Sequence, residues 1–415
     1  MKKCVYPLLA AVLFCAAFTV SAASKDEDTI VTKADWLTPE NNTWSFQNTS
    51  AILSSVVISR GATVPSELSY SLVNLDTFSY KGFVDGKSTQ VAYPDYLAKS
   101  DTDAILILHN GEVVFERYYN GMQPQSRHMM MSVTKSLTGT VAAMLVQEGR
   151  LDRDKKVETY ISDLAGTPAG AITVGQAMDM TSGLRYSEDY ADPDADVWSY
   201  VRAVGLLAAD ADHTGPANIK EYLKQMESEV TPGTRFEYVT PVTEIVAWLI
   251  RVAEKRSLAE SFSDRLWSKI GAEHDALIAI ENANKAVGGS GLQATARDLA
   301  RLGQAILQRG TYNGHQILDP SVVEAIKTGG DREAFKSYAS EGAMKGFSYR
   351  DQWWVTHNDH SAFTAMGVYG QLLYIDPTAN VVIVKQSSQD AAVTEFADSN
   401  DFIAAHAVAK YLMGK

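Results

Sequence analysis

The sequence predicts an α+β fold: one antiparallel sheet assembled from the two ends of the chain, backed by helices, with a mostly helical region in between. Strand pairs joined by short turns lie before residue 120 and again after residue 370, and helical periodicity dominates the stretch separating them. The 415 residues contain no internal repeat, no low-complexity linker and no composition shift that would mark a boundary between two domains.

Residues 1–22 read as a secretory signal peptide. Lys2 and Lys3 give a basic start, an apolar run extends from Tyr6 to Val20, and Ser21, Ala22 and Ala23 supply the small residues of a cleavage site, with the cut after Ala22. The run is short for a membrane span, which needs about 20 residues. Cys15 leaves a lipoprotein reading open, although Phe14 is bulkier than the residue usual at that place. The expected location is periplasmic or secreted. Both cysteines, Cys4 and Cys15, lie in this segment, so the mature chain would carry no disulfide, no thiol nucleophile and no cysteine metal ligand. The net charge of -13 argues against nucleic acid as a partner, because phosphate binding needs clustered Lys and Arg. No later apolar run reaches 18 residues, so no membrane contact is expected once the signal is removed.

Residues 23–101 form a lead segment. It is irregular and rich in Ser, Thr, Asn and Asp, with Trp36 and Trp44 spaced along it, and is expected to drape over the domain at 102–415. Ala104–His109 and Glu112–Glu116 are strands, and Asn110-Gly111 between them is a strong hairpin signal because both turn positions favour positive φ. A helix is expected from Ser132 to Glu148, with Leu137, Val141, Met144 and Leu145 at three- and four-residue spacing and Gly149 ending it. Another covers Val242 to Ile250. Gln371–Ile375 and Asn380–Lys385 flank Asp376-Pro377 as a second hairpin, and an amphipathic helix closes the chain from Asp401 to Leu412.

Chemistry concentrates at Ser132-Val133-Thr134-Lys135. A serine hydroxyl is a weak nucleophile at neutral pH and needs a base beside it. Residues i and i+3 of a helix share a face, so Ser132 and Lys135 point into the same space. The helix start favours developing negative charge there. Apolar surroundings at Met129–Met131 would lower the lysine pKa by desolvation and free it to accept the serine proton. Taken alone, the tetrapeptide reads more readily as a serine helix cap; its setting at a helix start after a strand pair, and the segments below, favour catalysis. Tyr238 lies on a loop after the Pro232-Gly233 turn and just before a helix, where a tyrosine can relay protons if a nearby cation lowers its pKa. Gly367 and Gly370, at the start of the late hairpin, let the backbone approach another group closely, and a strand N–H there could complete an oxyanion hole. Rival layouts are absent: Gly288-Gly289-Ser290-Gly291-Leu292 lacks the last glycine of a G-x-S-x-G elbow, and His357-Asn358-Asp359-His360 has no metal-ligand spacing and reads as a surface loop.

The order Ser132-x-x-Lys135, Met180-Thr-Ser-Gly-Leu184, Pro232-Gly-x-x-Phe-x-Tyr238 and Gly288-Gly-x-Gly291 through Asp298-Leu-Ala-Arg301 resembles serine β-lactamases of class C type and their relatives among esterases, D-amino-acid peptidases and penicillin-binding proteins. Met131-Ser-Val-Thr-Lys-Ser-Leu137, Glu188-Asp-Tyr190, Gln352-Trp-Trp354 and Gly367-Val-x-Gly-Gln371 are similar to the 6-aminohexanoate-dimer hydrolase branch. The resemblance implies a β-lactamase/transpeptidase-like fold, an antiparallel sheet flanked by helices with an adjacent all-helical region. It makes Ser132 the acylated nucleophile, Lys135 its activator and Tyr238 the proton shuttle. The N–H groups of Ser132 and Val368 become the oxyanion hole, and Tyr190 and Gly367 substrate contacts. Two positions depart from class C: Thr240 stands where an Asn is usual, and Ala365-Met366-Gly367 where Lys-Thr-Gly is usual, which removes the cation that grips a β-lactam carboxylate.

The expected function is therefore hydrolysis of a small linear amide or ester through an acyl-enzyme on Ser132, with no metal or organic cofactor. A carboxylesterase, a D-peptidase or a weak β-lactamase are alternatives within the same chemistry. A catalytically silent binder of cell-wall peptides is the alternative outside it, disfavoured because a binder has no need for Ser132, Lys135 and Tyr238 together.

Overall fold

A computed structural model gives the fold and describes residues 30–209 and 214–415. The expected signal peptide, 1–22, lies outside the described residues. Seven antiparallel strands form the main sheet in the order Ser348–Arg350, Trp353–Val355, Phe363–Gly367, Gln371–Asp376, Val381–Ser387, Thr102–His109, Glu112–Tyr118. The two ends of the chain meet where Val381–Ser387 pairs with Thr102–His109. Both expected hairpins form. Asn110 and Gly111 have φ of 54° and 84°, the pair of positive values that a two-residue hairpin turn requires.

The sheet is covered on both faces, which explains why its strands read as continuous apolar runs. Leu106, Leu108, Val382, Val384 and Leu373 enter one core, while Ile105, Ile107, Val381, Ile383 and Leu372 enter the other. The first face carries the helices Val133–Gln147 and Ala296–Leu307; the second carries Glu395–Met413 and Tyr93–Lys99. The helical region packs Thr240–Glu254 against Val133–Gln147, which is buried at every residue from Val133 to Leu145. Gly149, at φ 70°, follows its end.

A hairpin tip fixes that central helix. Asp351 and Gln352, with φ of 50° and 65°, form the two-residue turn between Ser348–Arg350 and Trp353–Val355. Ser136 donates to the Gln352 carbonyl at 2.7 Å, and Trp353 Nε1 donates to Thr140 Oγ1 at 3.0 Å. A Cβ on Gly139 would collide with the Asp351 carbonyl, so glycine is what lets the tip sit on the helix.

The lead segment is more ordered than its composition suggests. It contains the helix Pro39–Gln47, the strand Ser55–Ile58 and the hairpin Ser79–Val84/Lys87–Ala92. Ser55–Ile58 joins a second antiparallel sheet with Ala276–Ala279, Leu292–Ala294 and His128–Met129. These strands escape a hydrophobic-pattern reading because they bury little: only Ile58 is buried in the first, and residues 87–90 are exposed. Trp36 is an anchor, fully buried, with its Nε1 donating to the Leu206 carbonyl at 2.8 Å. The last helix starts at Glu395 rather than Asp401. The Thr394 side chain caps it by accepting from Ala397 N, and the acidic first turn disguised its start as loop.

Candidate active site

Ser132 sits at the N-cap of the Val133–Gln147 helix. Met131 before it has φ 45°, which turns the chain sharply from the His128–Met129 strand into the helix. Thr134 braces this turn: its hydroxyl donates to the Met131 carbonyl at 2.6 Å and accepts from Leu292 N at 3.0 Å. Lys135, one turn on, is 1% exposed and directs Nζ to Ser132 Oγ at 2.7 Å and to the Gly289 carbonyl at 2.9 Å. The expected pairing of positions i and i+3 on one face is realised.

The apolar surroundings act on Lys135 as the sequence suggested. Burial pulls its pKa from 10.5 down to about 8, against an opposing pull from the carboxylates of Glu188 and Glu244. Neither carboxylate stood out in the sequence as functional. Glu244 accepts from the amides of Gly288 and Gly289 at 3.0 and 2.8 Å and from Tyr200 OH at 3.0 Å. It thereby fixes the peptide whose carbonyl holds Lys135. Glu188 accepts from Thr240 Oγ1 at 2.7 Å and from Tyr190 OH at 2.8 Å. Thr240, noted as a departure, is thus the anchor of a half-buried carboxylate. Burial raises the pKa of both glutamates. The available signal was two Glu residues close to apolar or aromatic positions, which is too common to single out.

Tyr238 comes over Lys135, whose Nζ lies 4.9 Å from its ring centroid. Its ring stacks on Trp354 at 5.2 Å and 24° and meets Tyr349 edge-on at 6.1 Å. One expectation fails. The nearby cation does not lower the Tyr238 pKa; burial, reinforced by Glu188, holds it well above 10.0. The phenol is therefore a neutral donor at ordinary pH.

Gly367 passes directly beside Ser132: a Cβ there would stand 2.6 Å from the Met130 carbonyl oxygen and 3.0 Å from Ser132 N. The strand backbone at Gly367 and Val368 is thereby brought against the Ser132 amide. Ser132, Tyr238, Tyr190, Gly367 and Val368 all line one cavity of about 840 Å³. Among the described residues, every charged side chain lining it is a carboxylate: Glu188, Asp189, Glu237, Glu341, Asp398 and Asp401. Ala365, where a lysine is usual in class C, is fully buried.

The other motif segments serve the frame. Asp298 and Arg301 pair at 3.0 Å in the core, and Arg301 also holds the Ser66 carbonyl at 2.6 Å. His360 lies not with His357 but with His406 and Asp359, their ligand atoms within 4.8 Å. These groups are engaged: His360 Nδ1 with Asp376 at 2.8 Å, His406 Nε2 with Asp359 at 2.9 Å, and Lys410 with Asp359 at 3.0 Å. None of them lines the Ser132 cavity.

Comparison with known proteins accords with this geometry. A family model described as Beta-lactamase matches residues 98–408. The chain is 34% identical over 358 residues to a 6-aminohexanoate-dimer hydrolase of Paenarthrobacter ureafaciens, covering 85% of this chain and 87% of that protein. A solved structure from Bacillus anthracis, provisionally described as a 6-aminohexanoate-dimer hydrolase, superposes with a TM-score of 0.84 at 33% identity, over 94% of this chain and 99% of the other. The octameric penicillin-binding protein homologue of Pyrococcus abyssi shares the fold, with a TM-score of 0.59 at 18% identity over 78% and 76% of the two chains.

The lysine environment sets a pH dependence. Only neutral Lys135 can accept a proton, so the rate of fluorophosphonate labelling at Ser132 should rise with pH through a midpoint of about 8. Glu188 stabilises the ammonium form, so Glu188→Gln should move that midpoint to lower pH. Labelling rates across pH 5–10 for both proteins (roughly the span over which an ordinary His and Lys titrate) check the sign; an upward shift would contradict it.

Proposed function

The chain belongs to the β-lactamase family, and on that premise we propose that it hydrolyses small linear amides or esters through an acyl-enzyme on Ser132. The observation that carries this reading is the 2.7 Å contact between Ser132 Oγ and a lysine whose pKa burial has brought to about 8. Neutral Lys135 takes the Ser132 proton as Oγ attacks the carbonyl carbon. The amides of Ser132 and Val368 stabilise the resulting oxyanion, as the approach of Gly367 to Ser132 N supports. Tyr238, a neutral phenol lining the same cavity as Ser132, gives its proton to the departing nitrogen or oxygen as the C–N or C–O bond breaks, and recovers one from Lys135. Water then attacks the acyl carbon, its proton passes to the Tyr238–Lys135 pair, and that pair returns a proton to Oγ as the Oγ–C bond breaks, releasing the acid and restoring Ser132. Tyr190, held by Glu188 above the same cavity, is placed to contact the scissile amide. No step calls on a metal or organic cofactor.

Export is part of the proposal. Residues 1–22 would direct the chain out of the cytoplasm, leaving a periplasmic or secreted protein in which the 23–101 lead is packed on the 102–415 domain. No helix among the described residues is long and apolar enough to cross a membrane. N-terminal sequencing of the exported protein should begin at Ala23; recovery of Met1 in a membrane fraction would refute cleavage.

Ser132→Ala should abolish both turnover and covalent labelling, with mass spectrometry placing the wild-type adduct on Ser132. Tyr238→Phe should lower kcat by about a hundred-fold or more. Combined with Lys135→Ala it should cost far less than the product of the single losses, because the groups act as a unit. A small, additive effect of Tyr238→Phe would leave it a packing residue.

β-Lactams should be poor substrates. A lysine at the place of Ala365 would give a carboxylate a charge-assisted hydrogen bond of about 1.5–3 kcal/mol, and the cavity's charged lining is otherwise acidic. A cephalosporin should show kcat/KM about ten- to a hundred-fold below a short linear amide or p-nitrophenyl ester. The reverse order would overturn the substrate reading.

A further inference from the structure

A second cavity opens beside the nucleophile. It is small, about 50 Å³, and shares Ser132, Tyr190 and Val368 with the large one, so the two chambers meet at the position of the scissile carbonyl. The chambers differ in character. The large one has an exclusively carboxylate charged lining, whereas no charged side chain among the described residues lines the small one. Its walls include Trp36, Val197, Val201 and Leu206. Ser290 Oγ, buried there, has no hydrogen-bond partner among the described residues.

Which half of a substrate enters which chamber follows from the proton donor. Tyr238 lines the large chamber and not the small one. The leaving group must receive its proton from Tyr238, so it lies on the large side, from which it can also diffuse away. The acyl half, which stays bonded to Ser132 until water releases it, is left with the small chamber. Resting on the acyl-enzyme reading above, we propose that this chamber is an acyl-specificity site for a short, uncharged, apolar acyl group. An apolar cavity of about 150 Å³ accommodates a benzene ring, so this one accommodates about two carbons beyond the carbonyl. An ammonium group is disfavoured, since a buried charge needs a paired counter-charge: no charged side chain lines the chamber, and Glu188 and Glu244, one layer behind Tyr190, Thr240 and Tyr200, already have partners. The ω-aminoacyl group that the name of the Paenarthrobacter ureafaciens relative specifies is then a poor fit to this chain.

The test is a series of p-nitrophenyl esters from acetate to octanoate, with fluorophosphonate labelling of Ser132 run in parallel. kcat/KM should be highest at propionate or butyrate and at least ten-fold lower at octanoate. The β-alanyl ester, in which an ammonium replaces the terminal methyl of butyrate, should also fall at least ten-fold below the butyrate. Leu206→Ala should move the maximum to longer chains. Val201→Ala, on a partly exposed helix face, is a milder enlargement that should move it the same way if the first variant does not fold. A labelled Ser132 with rates flat or rising through octanoate, or a β-alanyl ester equal to the butyrate, would overturn the chamber assignment while leaving the acyl-enzyme intact. Absence of any adduct on Ser132 would overturn both.

Discussion

The bonds from Lys135 Nζ to Ser132 Oγ and to the Gly289 carbonyl organise this molecule. An ammonium in a dry environment is costly unless it is paired or loses its proton. Here its direct partners are neutral oxygens, and the two nearest carboxylates each have other partners: Glu244 on the glycine amides, Glu188 on Thr240 and Tyr190. Direct carboxylate contact would favour the protonated form. Holding the charges one layer away leaves a pKa of about 8, where a modest change of pH yields the neutral base.

That arrangement constrains the surrounding fold. Lys135 can reach Gly289 only if the Gly288–Leu292 stretch is pressed against the Val133–Gln147 helix, and three contacts achieve this: Thr138 Oγ1 to the Gly288 carbonyl at 2.8 Å, Leu292 N to Thr134, and Glu244 on the glycine amides. The opposite side of the helix is held by the Asp351-Gln352 hairpin tip over Gly139. The Phe363–Gly367 strand closes the third side at Gly367. The Val133–Gln147 helix, the end of an inner strand of the main sheet and the second helical layer therefore converge on one residue pair. The cavity lies between this floor and a loop that Glu188 ties to Thr240.

Much of this was legible in the chain. The hairpins announced themselves by Asn110-Gly111 and by apolar runs, because turn geometry and strand burial are local demands on residue type. Ser132 and Lys135 were visible because helical spacing alone places them together. Less was visible where long-range partners set the outcome. The strand Ser55–Ile58 buries one side chain and forms because Ala276–Ala279 offers it an edge. Glu188 and Glu244 look like ordinary acidic residues until the fold withdraws them from water. Tyr238 is a case of the same kind: its place on a loop before a helix was readable, but the dominance of burial over the nearby cation depends on Trp354 and Tyr349 closing around the ring.

The sequence by itself determined the two hairpins of the sheet, the helix that starts at Ser132 and the serine–lysine pair, each from local periodicity or from residue identity at a fixed spacing; the resemblance to class C enzymes added the absence of a lysine at Ala365. Only the tertiary structure decided how charge is distributed around that pair, and that two chambers of opposite character meet at Ser132. Trp36 comes from the lead segment, Leu206 from the helical region and Val368 from the late hairpin. No spacing along the chain relates them; packing brings them together and excludes the water that separates their positions in an unfolded chain.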